Sequence, residues 1–437
     1  MRVLIVSHRF PPDAVAGVER YSESLAARLA SMGDRVAVAT RRPGPGPVRT
    51  ESESRPEGYA VHRFVGGGVD RGRPFHLAEP LDAEFARLLE AHRPDVVHLN
   101  HLVDLSPRFV PLAREAGAAV VVTLHDFWFS CHRITLQRPD GTLCDGPRGG
   151  RSCAEHCMQG DARDRSRAGL RAMYLGRLLS GADLVLAPSR FVAEWFLEHA
   201  SVHVRAVPNG IAFPRVRPVG PASARDPGAP LRLAILGAIV PHKGHHVAVE
   251  AVAETGLDSV ELFVHGPIGD AGYVRGLRDA ADLVPGLRLR ICGPYAPEDL
   301  DLLLEDVDAL LVPSVWPETF CLVAREALVR GVPVITTELG ALPDAVEDGE
   351  NGLLYAHDRP GELARALRRL RDEPRLLGDL RAGARRTRVI SVAEHAETIR
   401  TLYAEALSRR PRSAPSDFGL EVLESAIADV VPSRGVA

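Results

Sequence analysis

Short runs of consecutive apolar residues alternate along the chain with longer segments in which apolar residues recur every three to four positions. The short runs predict strands buried on both faces, and the longer segments predict helices. Strands and helices that alternate in this way are typical of α/β domains with parallel sheets. The predicted strands are 3–6, 35–40, 95–99, 118–124, 183–187, 205–207, 231–236, 261–265, 288–292, 309–312 and 332–336.

The helical segments mostly end at a glycine or a proline, as expected of residues that stop a helix. Residues 43–58 follow neither pattern, because they are rich in Pro, Gly, Ser and charge, and they are predicted to form a loop or mobile excursion. The predicted helices are 19–32, 81–92, 163–179, 190–199, 319–330, 361–388 and 391–408, with a further helix from about 245 and an amphipathic segment at 420–431.

Five prolines in a short segment mark a linker between two domains. A chain of 437 residues is long enough to build two cores. The predicted parts are an N-terminal domain (1–213) with a cysteine-rich loop (131–157), the linker (214–230), a C-terminal domain (231–390), a helix (391–410) and a tail (411–437).

Composition narrows the class of protein. The chain is 45% hydrophobic and 25% charged, with a formal net charge of −4, which suits a soluble globular protein and gives no basic field for nucleic acid. The first residues enter a strand without a cationic leader, and no apolar run approaches the ~18 residues of a membrane span. We therefore expect a cytoplasmic protein.

The most informative segment is the loop that follows the strand 309–312. In an open parallel sheet, ligands bind outside the carboxyl ends of the strands. Glu318 and Glu326 are eight residues apart, about two helical turns, so both carboxylates can face one pocket and accept hydrogen bonds from vicinal hydroxyls. The first N–H groups of the helix could hold phosphate oxygens. Alternatively, the two glutamates are a helix cap and a solvated helix face.

Two more loops follow strands and carry glycine. The turn from Gly237 to Gly244 joins a strand to a helix and contains Lys243, which is the outline of a phosphate site in which backbone N–H groups orient the anion and the ammonium supplies charge. The loop after the first strand contains Gly17 and Glu19. A glycine in such a loop allows close approach to a ligand, although either loop could be purely structural.

His125 and Asp126 directly follow the buried strand 118–124. From position alone, a histidine there is as compatible with a hydrogen-bonded core group as with a residue that lines a site.

The segment Pro-Ser-Val-Trp-Pro-Glu-Thr-Phe at 313–320, followed by Arg-Glu-Ala-Leu-Val-Arg-Gly-Val-Pro-Val-Ile at 325–335, resembles the donor-site signature of family 4 glycosyltransferases. These are retaining enzymes of the GT-B fold, and the resemblance covers roughly residues 3–408. The chain departs from the usual family pattern at four positions: Ala16 and Cys321 replace glycine, Ala238 replaces arginine and Asp344 replaces glutamate.

The resemblance implies two facing Rossmann-like domains of the α/β class with catalysis in the cleft between them, and a last helix that crosses back onto the first domain. It implies transfer of a sugar from a UDP- or GDP-linked donor to an acceptor hydroxyl on a sugar, a lipid-linked sugar or a small molecule, without a catalytic metal or other cofactor. The product would be a polysaccharide, glycolipid or natural-product glycoside. The implied catalytic residues are His125, Lys243 and Glu318; the donor contacts are Gly17, Gly237, Lys243, Gly244, Glu318, Thr319, Phe320, Cys321, Leu322 and Glu326; and the acceptor contacts are Glu19, His125 and Asp126.

Other activities of the same fold remain open. A phosphorylase would use inorganic phosphate, a sugar-nucleotide epimerase would need no acceptor, and a non-catalytic module would bind the nucleotide sugar without turnover. The joint presence of His125, Glu318 and Glu326 argues against the module.

Four cysteines crowd the segment after His125, at Cys131, Cys144, Cys153 and Cys157. In a reducing cytoplasm such a loop favours a structural zinc site over two disulfides, because thiolates bind Zn²⁺ and the metal ties together a segment with little core. Free buried thiols are an equal alternative. Cys292 occurs singly and indicates a small core or loop residue.

The predicted helix 163–179 is amphipathic and basic. Its arginines could form a solvated face over a core stripe, or they could face an anionic acceptor or the inner surface of a membrane.

Overall fold

The computed structural model describes residues 1–67, 79–158, 162–213, 229–409 and 420–430. The predicted linker lies outside these residues except for 229 and 230, and the predicted tail is described only at 420–430. The chain separates into two compact units. The N-terminal unit comprises Met1–Gly210 and Val392–Ala437, and the C-terminal unit comprises Ile211–Ser391.

The strands are mostly short and apolar, as the sequence pattern predicts. They are β1 (Arg2–Ser7), β2 (Arg35–Arg42), β3 (Arg49–Ser54), β4 (Ala60–Val65), β5 (Val96–Leu99), β6 (Ala119–Thr123), β7 (Leu184–Ala187), β8 (Arg205–Ala206), β9 (Leu231–Leu236), β10 (Val260–His265), β11 (Leu287–Gly293), β12 (Ala309–Val312), β13 (Val334–Thr337) and β14 (Gly352–Tyr355).

The helices connect these strands or follow them. They are α1 (Gly17–Ser31), α2 (Glu79–His92), α3 (Phe109–Glu115), α4 (Arg151–Cys157), α5 (Ala162–Ser180), α6 (Arg190–Ala200), α7 (His245–Thr255), α8 (Ala271–Asp282), α9 (Leu300–Glu305), α10 (Leu322–Leu328), α11 (Glu362–Asp372), α12 (Leu376–Arg386), α13 (Val392–Arg409) and α14 (Leu420–Val430).

In the N-terminal unit the sheet has the strand order β3-β4-β2-β1-β5-β6-β7-β8. Every neighbouring pair is parallel except β3 and β4. Because β1 lies between β2 and β5, the strand order reverses beside it, and the loops after β1 and β5 diverge at their carboxyl ends. This is the position at which doubly wound sheets bind ligands.

The C-terminal unit is a parallel sheet with the order β11-β10-β9-β12-β13-β14. Successive residues of β9 enter different cores: Leu233 and Ile235 join one apolar cluster, whereas Ala234 and Leu236 join another. A strand that is covered on both faces is apolar on both, which explains the unbroken apolar run from Leu233 to Leu236.

The helix α13 belongs to the N-terminal unit by its contacts. Its residues from Ala396 to Ala406 join the apolar core that contains β1 and α1. His395 bonds to the Tyr21 hydroxyl at 2.9 Å and to the Pro208 carbonyl at 2.8 Å, and the Tyr403 hydroxyl bonds to His98 at 2.7 Å. Buried polar partners therefore fix this helix in addition to its apolar face.

The loop prediction for residues 43–58 is wrong, because β3 lies within this segment and pairs with β4 in an antiparallel hairpin. All but one of the β3 residues are exposed, so this strand has no apolar pattern that a sequence reading could detect. Its charged side chains protect an edge strand from pairing with other chains.

Candidate functional site

The Glu318 carboxylate is the centre of a hydrogen-bond network in the C-terminal unit. Its Oε1 atom accepts hydrogen bonds from Lys243 Nζ at 2.7 Å, Ser314 Oγ at 2.7 Å and Trp316 Nε1 at 3.0 Å. Burial alone would raise the pKa of Glu318, but the charge of Lys243 and these three donors lower it below its ordinary value. The carboxylate is therefore ionised at neutral pH.

Lys243 is the only lysine in the sequence. Its side chain is 28% exposed, and its ammonium lies 5.2 Å from the centroid of the Trp316 ring. Burial lowers the pKa of Lys243, but the charge of Glu318, the hydrogen bond to it and the charge of Cys321 together raise the pKa above the ordinary value. Lys243 is therefore a cation whose charge the Glu318 carboxylate balances.

Backbone contacts hold the Lys243 turn against the Glu318 loop. The N–H of Val315 donates to the carbonyl of His242 at 3.0 Å. Gly244 has φ of +72°, and a Cβ there would lie 1.7 Å from the carbonyl oxygen of Pro313. Only glycine fits this approach, so Gly244 is what allows the two loops to touch.

The glycines of the predicted phosphate turn do not offer their backbone donors to a ligand. The N–H of Gly237 donates to the His265 carbonyl at 2.9 Å, and that of Gly244 donates to the Pro241 carbonyl at 3.0 Å. A role for these two glycines in donor binding stays a prediction, and the structure indicates that they supply space rather than hydrogen bonds.

The helix behind the Glu318 loop begins later than predicted. It starts at Leu322, because Cys321 precedes it in the left-handed region with φ of +59°. Thr319 and Phe320 therefore lie in the loop, and the prediction that a helix runs from 319 is wrong. Nothing in the sequence pattern marks Cys321 as left-handed, because residues other than glycine rarely adopt this conformation.

Arg325, on α10, contacts this loop and was not predicted as a site residue. Its guanidinium donates to the carbonyl of Phe320 and lies 3.7 Å from the centroid of the Phe320 ring. Burial lowers the pKa of Arg325 to about 10, so it remains a cation. It thereby ties the start of α10 to the segment that carries Glu318.

Glu326 lies in the second turn of α10 and is buried. Its backbone carbonyl accepts a hydrogen bond from Arg330 at 2.8 Å, which fixes the end of the helix. On the other side of the loop, the N–H of Ala341 donates to the Glu318 carbonyl at 2.7 Å. The two predicted glutamates thus belong to one rigidly held segment of the C-terminal unit.

In the N-terminal unit, His125 follows β6 and is 8% exposed. Its ring centroid lies 4.4 Å from that of Tyr21. Burial, together with the charges of His98, His101 and His395, lowers the pKa of His125 well below its ordinary value. A neutral imidazole is therefore present at physiological pH.

Asp126 is held on both carboxylate oxygens. His101 Nε2 bonds to one of them, and the N–H of Trp128 donates to the other at 2.8 Å. The N–H of Val103 donates to His101 Nδ1 at 3.0 Å, so Nε2 carries the ring proton and is the donor to Asp126. This geometry makes Asp126 an anchor of its loop, and its predicted contact with an acceptor stays a prediction.

The loop after β1 brings Glu19 and His8 together. Glu19 Oε2 accepts the N–H of Ala16 at 3.2 Å, and Glu19 Oε1 lies 3.4 Å from His8 Nε2. Burial raises the pKa of Glu19. Gly17 is exposed at the first position of α1.

His8 and His101 were not predicted as site residues, although their rings lie 4.3 Å apart at the carboxyl edge of the sheet. Each directly follows a buried strand or lies one residue beyond it. That position was the signal that sequence reasoning could have used.

The four clustered cysteines are free thiols, as are the other two in the chain. Within the described ranges, no group of three or more His, Cys, Asp or Glu side chains is already arranged to hold a metal ion. A structural zinc ion therefore stays a prediction.

Comparisons with known proteins cover both units. The sequence profile described as Glycosyltransferase Family 4 matches residues 15–213, and the profile described as Glycosyl transferases group 1 matches residues 222–387. The chain belongs to the family 4 glycosyltransferases. It is therefore an enzyme that transfers a sugar from a nucleotide-sugar donor to an acceptor.

Two D-inositol 3-phosphate glycosyltransferases illustrate the sequence likeness. One from Corynebacterium efficiens is 34% identical over 196 residues. The aligned residues cover 42% of this chain and 46% of the relative, which is about half of its length. One from Acidothermus cellulolyticus is 29% identical over 401 residues, which cover 84% of this chain and 80% of the relative.

Solved structures with the same fold include a sucrose-phosphate synthase from Thermosynechococcus elongatus, with a TM-score of 0.70 at 20% identity and coverage of 94% of this chain and 100% of that one. HepE from Anabaena, solved in complex with UDP and glucose, has a TM-score of 0.64 at 18% identity and coverage of 92% and 99%. The predicted GT-B fold class is confirmed. In the part of this glycosyltransferase that the structure describes, no helix is long and apolar enough to cross a membrane.

Proposed function

We propose that this glycosyltransferase transfers a sugar from a UDP- or GDP-linked donor to an acceptor hydroxyl, with retention of the anomeric configuration. The observation that carries the proposal is the network on Glu318, in which Lys243, Ser314 and Trp316 all bond to one oxygen atom. All three side chains donate hydrogen bonds to Oε1. We therefore assign Oε2 to a hydroxyl group of the nucleotide-sugar substrate.

Lys243 would act on the leaving group. As the bond from the anomeric carbon to the diphosphate breaks, negative charge grows on the diphosphate, and a fixed cation stabilises this charge more in the transition state than in the ground state. The ammonium can turn from Glu318 to a phosphate oxygen, because its side chain is 28% exposed and its three N–H donors rotate.

The acceptor would bind to the N-terminal unit near His125 and Glu19. A neutral imidazole can accept a hydrogen bond from the acceptor hydroxyl or donate one to the sugar, but it cannot neutralise an anion. Retention would follow from a front-face mechanism, in which the departing phosphate oxygen takes the proton of the acceptor hydroxyl while the new bond forms on the same face. No protein nucleophile and no metal are assigned to this reaction.

A lipid-linked acceptor would require contact with the inner face of the membrane, and the basic helix α5 is the candidate surface. Arg171 does not contribute to such a surface, because it is buried and donates to the Trp128 carbonyl. Sedimentation with anionic vesicles, compared with neutral ones, tests this contact. Equal binding to the two would exclude an electrostatic role of α5.

The proposed reaction is tested by incubating the protein with UDP- and GDP-sugars, with and without candidate acceptor hydroxyls, and measuring release of the nucleoside diphosphate. The anomeric coupling constant of the product in ¹H NMR then reports retention or inversion. A phosphorylase would depend on inorganic phosphate, an epimerase would change the donor without releasing diphosphate, and a binding module would show affinity without turnover. An inverted product would refute the proposal.

A further inference from the structure

The Glu318 carboxylate has to stay ionised when Lys243 leaves it. The Glu318 side chain is only 5% exposed, and Lys243 Nζ lies 2.7 Å from its Oε1 atom. In the proposed reaction the ammonium turns to the diphosphate, which removes the cationic partner of a buried carboxylate. A buried charge without a partner is strongly unfavourable, and a carboxyl group in that position takes up a proton. Other groups must therefore stabilise the charge of Glu318 while Lys243 binds elsewhere.

Two neutral side chains donate to the same oxygen atom. Ser314 Oγ lies 2.7 Å from Glu318 Oε1, and Trp316 Nε1 lies 3.0 Å from it. Neither side chain carries a charge that the diphosphate could attract, so both can stay on Oε1 while Lys243 moves. Hydrogen bonds to the charged form of a carboxyl group favour that form. Although burial raises the pKa of Glu318, the charge of Lys243 and these hydrogen bonds lower it below its ordinary value.

The loop that carries Ser314 and Trp316 is anchored by contacts that do not involve the Lys243 side chain. The Thr337 hydroxyl donates to the Ser314 carbonyl at 3.4 Å, and the N–H of Ala341 donates to the Glu318 carbonyl at 2.7 Å. Gly340 has φ of +63° and lies so close to this loop that a Cβ would be 2.4 Å from the Glu318 carbonyl oxygen. The ammonium can therefore leave without moving the loop.

The Trp316 ring also contacts the lysine itself. The ammonium of Lys243 lies 5.2 Å from the centroid of this ring, within the range in which an aromatic face attracts a cation. The His242 ring lies 5.6 Å from the Trp316 ring at an angle of 76°, and it packs against the indole from the turn that carries Lys243. Attraction to a ring face needs no fixed hydrogen-bond direction. It can persist while the ammonium exchanges one oxygen partner for another.

On the basis of the proposed sugar transfer, we infer that Trp316 and Ser314 are positioning residues. They keep Glu318 ionised and oriented after Lys243 turns to the diphosphate, and the Trp316 ring keeps the ammonium within reach of both partners. In the empty site the lysine and the carboxylate neutralise each other. Once the diphosphate has drawn Lys243 away, the carboxylate accepts one hydrogen bond fewer and is free to bind a sugar hydroxyl more strongly. Binding of the diphosphate and of the sugar is thereby coupled through one carboxylate.

NMR of the indole N–H groups tests these contacts without any substrate. The chain has three tryptophans, so labelling with ¹⁵N-tryptophan gives three indole signals, and the one that is absent in Trp316→Phe belongs to Trp316. Lys243→Met imitates the departure of the lysine. We expect the Trp316 signal of this variant to keep the downfield proton shift of a bond to a carboxylate at pH 7. A signal at the position of a solvent-exposed indole would overturn the inference.

A pH titration of the same signal measures what Ser314 contributes. In the wild type the signal should move only below about pH 4.5, because the pKa of Glu318 is lowered from 4.5. Lys243→Met should titrate at a higher pH, and Lys243→Met combined with Ser314→Ala at least about one pH unit higher still. If this double variant does not fold, Ser314→Ala alone should still titrate above the wild type. Equal midpoints with and without the serine hydroxyl would exclude Ser314.

Turnover separates the two roles of Trp316. Trp316→Phe keeps a ring beside Lys243 but loses the N–H, so the acid limb of its kcat/KM profile should move to higher pH. Trp316→Leu also loses the ring, and its kcat should fall by a further factor of about five. Trp195 is a matched control, because its Nε1 donates to the Ser130 hydroxyl at 3.3 Å. Trp195→Phe should leave the Trp316 titration and the pH profile unchanged.

Failure of this inference and failure of the proposed sugar transfer give different results. If the protein released no nucleoside diphosphate from UDP- or GDP-sugars, the proposed function would fail, whereas the indole signals would still show whether Trp316 and Ser314 stabilise the carboxylate. If turnover is observed but Trp316→Phe and Trp316→Leu both keep the pH profile and kcat of the wild type, the sugar transfer stands and Trp316 does not position the site.

Discussion

Substituting Gly244 by alanine should separate the two loops that we propose to bind the sugar donor. Gly244 has a left-handed backbone conformation, which costs any other L-amino acid about 1 kcal/mol. The Cβ of the alanine would lie 1.7 Å from the Pro313 carbonyl oxygen. The loops must move apart by at least about 1 Å, and such overpacking typically costs about 1–3 kcal/mol. We therefore expect a total loss of about 2–4 kcal/mol in the C-terminal unit.

The chain contains a matched control. Gly256 has nearly the same φ, +65°, but a Cβ there would meet nothing within 4 Å. Gly256→Ala should therefore cost only the backbone strain, about 1 kcal/mol, and leave the loops in place. The difference between the two variants isolates the contact between Gly244 and Pro313 from the strain that both share.

Urea unfolding followed by tryptophan fluorescence, together with calorimetric titration of the nucleoside diphosphate, measures both effects. Gly244→Ala should lower stability more than Gly256→Ala, and it alone should weaken nucleotide binding, because it moves Lys243 away from Glu318. If the two variants lose equal stability and both bind the nucleotide normally, the close approach of the loops does not organise the site.

Three further outcomes are expected. Lys243→Ala should lower kcat strongly with the fold preserved, since the leaving diphosphate loses its cation, and Lys243→Arg should recover only part of the rate; unchanged turnover in the alanine variant would remove Lys243 from the mechanism. Glu326→Ala should weaken binding of the nucleotide sugar by about 1–3 kcal/mol but not that of the nucleoside diphosphate, and equal affinities in calorimetry would place this carboxylate outside the sugar site. Burial lowers the pKa of His395 to about 4, below the ~6.5 of the unfolded chain, so the stability from its neutral form is complete above about pH 6.5 and is lost as the pH falls toward 4, by about 2 kcal/mol between pH 7 and pH 5. His395→Gln should flatten this decline in urea unfolding, and a decline of the same size in the variant would contradict it.

The elements that could be predicted from the sequence are those in which consecutive residues are apolar and buried. The strands β9 and β12 are apolar at nearly every position because both of their faces are covered, and the loops at their carboxyl ends follow from the topology. Lys243 and Glu318 could be nominated for the same reason. That they bond to each other depends on how the two loops fold together, which no local pattern encodes.

The features that could not be predicted are stabilised by contacts with other residues and not by the burial of a continuous apolar run. The strand β3 is held by its partner strand and not by apolar burial, so its composition indicated a loop. The late start of α10 depends on the backbone conformation of Cys321 and on the hydrogen bond from Arg325 to the Phe320 carbonyl. His101 bonds to Asp126, which follows a different strand. In each of these cases a contact with a partner residue, and not the apolar pattern of the segment itself, decides the structure.

The single lysine has a practical consequence for the study of this enzyme. Lys243 carries the only side-chain amine in the sequence, and the amino group of Met1 is held against Asp34 at 2.6 Å. The remaining basic side chains of the Lys and Arg class are arginines, whose guanidinium groups amine-directed reagents do not modify. Acylation or reductive alkylation would therefore mark essentially one loop, and the intact mass of the whole chain would become a reporter of whether that loop is occupied.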